Sequence, residues 1–280
     1  MQNKTAVGLI GIAGIWITSG LALPFVNILT MFEPEQLMLI RGFVTAILAL
    51  LFIKSNILRA DIYTKLIFIA LPLATVGLFY GIRAWGVSST LIVIAATPIV
   101  NIIAGIFQGR KITLTSCFCL ILVLCGVILS SKTAHFNIGG LAWSLFGTVM
   151  SGIVFELFSK SSSSPMHKCF YGSMGMGTAG LIISIFSQPS WEGLHDPYIL
   201  SIVTGFVLIG GFLYWIANII AFNYLPPTEA SILAQGETIA VIIGAYIFLD
   251  EVLTLIQWLG VITTILAASV LSYALAKNNA

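Results

Sequence analysis

From residue 6 to residue 31 the chain carries no charged side chain. That exceeds the ~7–15-residue apolar core of a signal peptide and suffices to cross ~30 Å of hydrocarbon as a helix. This stretch is expected to be a first membrane span, uncleaved. The pattern then recurs. Polar and charged residues divide the chain into ten apolar runs, near 6–29, 36–53, 66–83, 88–108, 113–131, 139–159, 169–187, 199–222, 229–249 and 254–276. Inside a bilayer every backbone N–H and C=O must be paired within the protein, and runs of ~20 apolar residues achieve that as helices. Apolar residues make up 59% of the sequence and charged residues 8%, against ~45–50% and ~25% in soluble domains. The expected fold is an all-α integral membrane protein with ten transmembrane helices.

Lys and Arg set the orientation, because cytoplasmic loops collect them. With the N-terminus inside, Lys4, Lys54, Arg59, Lys65, Arg110, Lys111, Lys160, Lys168 and Lys277 are all cytoplasmic, and Lys132 alone is outside. Glu33, Glu35, Glu192, Asp196, Asp250 and Glu251 fall outside. Both termini are therefore expected in the cytoplasm. A net charge of +2 without a long basic run excludes nucleic acid as a partner. Cys117, Cys119, Cys125 and Cys169 lie in apolar runs without metal-site spacing and serve as small apolar fillers.

The chain also repeats itself. Gly8-Leu9 and Ser19-Gly20 recur as Gly140-Leu141 and Ser151-Gly152 at the same spacing. The segment Gln108 to Thr113 is echoed by Leu249 to Thr254. Each half, 1–132 and 138–277, then holds five helices. An odd number per half inserts the halves with opposite orientations, an inverted repeat whose solute site is expected near the midplane.

Three segments resemble motifs of the drug/metabolite transporter superfamily, in its ten-helix EamA-type branch. They are Arg41-Gly-Phe43 in the second run; Ala96-Thr-Pro98 with the Gly109 turn in the fourth; and Gly236-Glu-Thr238 with Leu249-Asp-Glu251 in the ninth. Thr238 stands where that branch usually has proline, and Arg110-Lys111 where its first half often has Gly-Glu. The resemblance spans essentially the whole chain. It implies solute transport through a central cavity lined by spans one, three, four, six, eight and nine.

The candidate site residues are polar groups at membrane depth. Glu237 is the most costly, since a carboxylate in mid-bilayer costs ~2.5–3.5 kcal/mol on insertion scales. It is either a site for a cation, a proton or a solute amine, or a structural carboxylate, bonded within the bundle or paired with Arg41. Gln235, two residues away, is expected on a different face. Glu156 shares a face with Thr148 and Gly152; it contacts solute, or snorkels to water beside Lys160. Pro24 is its repeat-mate. Thr97 and Asn101 lie on a polar stripe of the fourth run, where Pro98 frees a mid-helix carbonyl; they meet solute or bond another helix. Trp16, Tyr80, Tyr214 and Asn218 could line a cavity or belong to the interfacial belt. Arg41 is expected to be a structural charge near the outer end of the second run.

His135, His167 and His195 fall in loops, and no HExxH, GxSxG or Walker loop is present, so neither an enzyme nor an ATP-driven pump is indicated. The expected function is secondary transport of small organic solutes (amino acids, metabolites or drugs) across the cytoplasmic membrane by alternating access, in the direction of export. Uptake of a scarce cofactor or metabolite is the alternative within transport. A membrane interaction protein or receptor without flux, and a channel or scramblase, are the alternatives outside it. Expected partners are the solute, protons or another coupling ion, the lipid bilayer and a second copy of the chain in a homodimer. No cofactor is expected.

Overall fold

The computed structural model describes residues 2–22, 32–54, 57–85, 90, 93–130, 137–248 and 254–278. Pro24, Lys132, His135 and the Asp250-Glu251 turn lie outside them. The principal helices are α1 (Gln2–Ala22), α2 (Pro34–Leu51), α3 (Ile62–Trp85), α4 (Thr97–Phe107), α5 (Leu114–Ser130), α6 (Ile138–Lys160) and α7 (Pro165–Ser187). They continue as α8 (Pro197–Tyr224), α9 (Pro227–Phe248) and α10 (Leu255–Asn278). Among the described residues there is no strand. Among the described residues eight helices are long and apolar enough to cross a membrane; α4 and α5 are apolar but shorter. The outward faces are apolar too, with Ile69, Phe107, Leu114, Phe186 and Leu255 all exposed, as lipid contact requires. The chain is a multi-pass membrane protein.

With lipid outside, helices associate through close backbone packing rather than through burial of apolar surface. Bare glycines make this possible. A Cβ on Gly77 of α3 would stand 2.4 Å from Cα of Gly147 on α6, and one on Gly42 of α2 would stand 2.1 Å from the Gly177 backbone N of α7. On α1, a Cβ at Gly11 would meet the Ala221 backbone N of α8 at 2.6 Å. On α5, one at Gly126 would meet Thr264 Oγ1 of α10 at 2.1 Å.

The pairing is regular. The neighbours α3–α6 and α1–α8 exchange when each helix is advanced by five, as do α3–α7 and α2–α8, and α1–α9 and α4–α6. The pairs α2–α7, α5–α10 and α4–α9 map onto themselves.

Among the described residues three spans are interrupted. Pro72 inside α3 cannot donate to the carbonyl of Phe68, and Gly175 of α7 lies against that oxygen, where a Cβ would be 1.9 Å away. In α8 the segment Phe206–Leu213 widens into π-helix around Gly210-Gly211, a form frequent at functional sites. In α9 the helix breaks at Gln235, between Pro227–Ala234 and Gly236–Phe248. The sequence places Pro98 in mid-helix; the structure places it in the first turn of α4, after a turn at residues 95–96, where its missing N–H costs nothing. His167 lies in the first turn of α7 rather than in a loop.

The connections also bond across the halves. Asp61, just before α3, takes hydrogen bonds from Ser161 Oγ (2.9 Å) and from the backbone N–H groups of Ser162 (2.6 Å) and Ser163 (3.1 Å), in the α6–α7 connection. Burial would raise the Asp61 carboxyl; the bonds from Thr64, Ser161 and Ser162 outweigh it and hold the group well below the usual carboxylate range.

Candidate functional site

Where α1, α2, α3, α4, α6, α8 and α9 converge, they line a cavity of about 80 Å³. Much of its wall is apolar, including Leu71, Ala74, Leu78, Ile82, Val154 and Phe155. The polar lining is Ser19, Arg41, Thr75, Thr97, Ser151, Tyr214, Trp215, Asn218, Gln235 and Glu237. Few, convergent polar groups in an apolar wall are the usual composition of a small-molecule site.

Glu237 is only partly buried, and it faces this cavity. Its Oε2 accepts hydrogen bonds from Tyr214 OH (3.0 Å) and Ser19 Oγ (3.2 Å). Its partners are thus two hydroxyls, and Arg41 is not among them. Gln235 lines the same cavity, against the expectation of a different face. The reason is the break in α9: i→i+3 bonds from Gln235 N–H to Ile232 O (3.2 Å) and from Thr238 N–H to Gln235 O (3.1 Å) replace regular turns there. The period that separates residues two apart is interrupted between them.

Trp16 supports the break without lining the cavity. Its indole Nε1 donates to Leu233 O at 2.9 Å, and its ring covers Gly236 so closely that a Cβ there would lie 2.0 Å from Cε2. Only glycine fits.

Arg41 is a correction. It sits in the middle of α2, not near its outer end, and it is buried. Its guanidinium donates to Gly210 O, in the π-helical segment of α8. Its Cζ lies 5.5, 5.8 and 5.6 Å from the rings of Phe206, Tyr214 and Trp215.

The other expected residues divide. Thr97 lines the cavity and donates to Ile94 O (2.6 Å). Tyr214 and Asn218 line it as well; Asn218 Nδ2 donates to Tyr214 O (2.9 Å). Asn101 is buried beside the cavity with both side-chain amide atoms unpartnered. Tyr80 lies toward the end of α3, donating to Glu35 Oε2 (3.1 Å) and packing on Trp143. Glu156 is away from the cavity, and its partners are Arg110 and Gln108 rather than Lys160. The Gly109 turn, at φ +70°, swings Arg110 back toward α6.

Ser19, Ser151, Arg41, Thr75 and Trp215 are lining residues absent from the expected set. The internal repeat pointed at two of them, since Ser19 and Ser151 are repeat-mates and both face the cavity.

Membrane transporters hold partly polar cavities of this kind among their spans. Residues 138–273 match the model of the EamA-like transporter family, so the second half of the chain carries an EamA-like transporter domain. A solved crystal structure of another protein is similar over 98% of each chain, with a TM-score of 0.81 and 13% identity; at that identity the likeness speaks for the fold alone. No curated protein matches the chain.

Proposed function

We propose that this chain moves a small organic solute across the cytoplasmic membrane by alternating access, as an exporter with both termini inside. In this reading the ten helices form two inverted five-helix repeats, 1–132 and 138–277, which rock around the cavity. The observation that carries it is the cavity itself, lined from both halves and holding Glu237 and Arg41 on its wall. The neighbour pattern supports the repeat, because helix pairs exchange or map onto themselves under a shift of five. Repeat-mates Ser19 and Ser151 in one cavity support a pseudo-twofold axis through it. The short α4 and α5 complete the count of ten if both cross.

Tyr214, Asn218, Gln235 and Glu237 are the proposed solute contacts, with Thr97 opposite. Glu237 is the proposed coupling site for protons, being a carboxylate held by two hydroxyls with no cation partner among the described residues. Flux into proteoliposomes by the Glu237→Gln variant tests this. Coupling through Glu237 requires that the variant lose rate and lose the pH dependence of transport. Unchanged rate and pH profile would remove Glu237 from the mechanism.

A further inference from the structure

We propose that Arg41 is a solute-binding residue, the carboxylate anchor of the cavity, and that the solute is a small zwitterion whose ammonium end lies among Glu237, Gln235 and Asn218. The proposal rests on the transport reading of the cavity and names its substrate class.

Arg41 is 4% exposed and carries several N–H donors in a planar fork. Its one hydrogen-bond partner among the described residues is Gly210 O, and Nε has none. Among the described residues the ion pairs are Arg83–Glu33 and Arg110–Glu156, so Arg41 has no carboxylate partner there. A buried guanidinium with so little compensation is costly in a membrane protein. Trp215, beside it on the cavity wall, also has an indole N–H without a partner. These are two donors awaiting an acceptor.

The opposite deficiency lies across Tyr214, whose ring is beside Arg41 while its hydroxyl bonds Glu237. Asn218 Oδ1 and Gln235 Oε1 are buried without partners. Their amide orientations are fixed by their own nitrogens, which donate to Tyr214 O and Ser231 O. The oxygens are therefore acceptors, and with the Glu237 carboxylate they complement the three N–H donors of an ammonium. A net-neutral solute with separated charges satisfies both groups and adds no charge to the cavity. A simple cation would leave Arg41 uncompensated, and a simple anion would leave Glu237 so.

The test uses the purified full-length protein in detergent. Its thermal stabilisation is titrated with the twenty common L-amino acids, and with the α-amide and N-acetyl derivative of each one that stabilises it. The expected result is saturable stabilisation by at least one amino acid, with the amide and the N-acetyl form each binding ~10-fold or more weakly. Arg41→Gln should bind acid and amide alike, while Arg41→Lys keeps the preference for the acid. Stabilisation by no amino acid, equal binding of amide and acid by the wild type, or a preference that survives in Arg41→Gln would each overturn the proposal. If Arg41→Gln does not fold, the wild-type comparison decides alone. Proteoliposome flux separates this proposal from the reading beneath it. Saturable flux of only a non-zwitterionic solute refutes the anchor and keeps transport; carboxylate-dependent binding without flux keeps the anchor and refutes transport.

Discussion

Gly236→Ala is a small change with a large expected cost. The new Cβ would stand 2.0 Å from both Cε2 and Cζ2 of Trp16, whereas carbon atoms rest at ~3.5–4.0 Å. The indole must retreat by about 1.5 Å. Overpacking of this kind costs ~1–3 kcal/mol. The retreat also breaks the bond from Nε1 to Leu233 O, and an indole N–H left unpartnered costs ~1–3 kcal/mol more. Together the loss is about 2–6 kcal/mol. The assay is a double-mutant cycle with Trp16→Ala, read by equilibrium unfolding in detergent. Trp16→Ala is destabilising by itself, but it empties the space that the added methyl group would enter. The double variant should therefore be no less stable than Trp16→Ala, within ~0.5 kcal/mol. If the two single costs instead add, the close contact does not exist and the account of the α9 break fails with it.

Asp61→Asn should lower stability by about 1.5–3 kcal/mol, the worth of hydrogen bonds to a charged group. Because the folded-state carboxyl is depressed, the contribution is complete above the unfolded value of ~4 and fades as pH falls below it. The gap between variant and wild-type melting temperatures should thus be full at pH 7 and narrow in acid; a gap that widens in acid would refute it. Gly77→Ala and Gly205→Ala form a matched pair. The first pushes a methyl into the α6 backbone at Gly147 and should cost ~1–3 kcal/mol or more. The second meets nothing within 4 Å and should gain up to ~1 kcal/mol by helix propensity. Thermal unfolding of the two variants checks the sign difference.

Span placement was legible because a bilayer allows one kind of answer to a long uncharged run. Eight of the ten runs coincide with helices that differ from them mainly at their ends. The site was half legible. Glu237, Tyr214, Asn218, Gln235 and Thr97 stand out as polar groups at depth, and all line the cavity. The faces were harder to read, since a face is assigned by an unbroken helical period. That period fails at Gln235 and through Phe206–Leu213, with no proline at either place to warn of it. Arg41 looked structural for a related reason. Its depth in α2 and its acceptor, Gly210 O, depend on a π-helical segment more than 160 residues away in sequence, which local pattern does not encode. For Glu156 the alternative to solute contact was Lys160, since a partner four residues on is visible in sequence, while Arg110 reaches it through the Gly109 turn.

If the halves rock as proposed, the ties at the two faces must alternate. At one face Arg83, at the end of α3, pairs with Glu33, at the start of α2. At the other, Asn223 at the end of α8 accepts from Lys168 at the start of α7. These are equivalent positions when helices are advanced by five, set on opposite faces. The connections behave likewise. Asp61 between α2 and α3 grips Ser161, Ser162 and Ser163 between α6 and α7. Its counterpart is the bond from Gln36 Nε2, near the α1–α2 connection, to Ser190 O between α7 and α8 (2.7 Å). Among the described residues the Asp61 tie is the heavier, and its face is the one read as cytoplasmic from Lys and Arg. In the rocking reading, opening there breaks it. The perturbation that follows is a covalent tie: Asp61→Cys with Ser162→Cys, joined by a short bifunctional thiol reagent, in a background where the four native cysteines are alanine. The pair is within reach, since the Asp61 carboxylate lies 3.0 Å from Ser162 Oγ. Cross-linked protein should lose flux in proteoliposomes while keeping its thermal unfolding transition, and a cleavable reagent should restore transport on cleavage. Flux that continues through fully cross-linked protein would mean that the halves do not separate at this face, and the rocking mechanism would have to be abandoned.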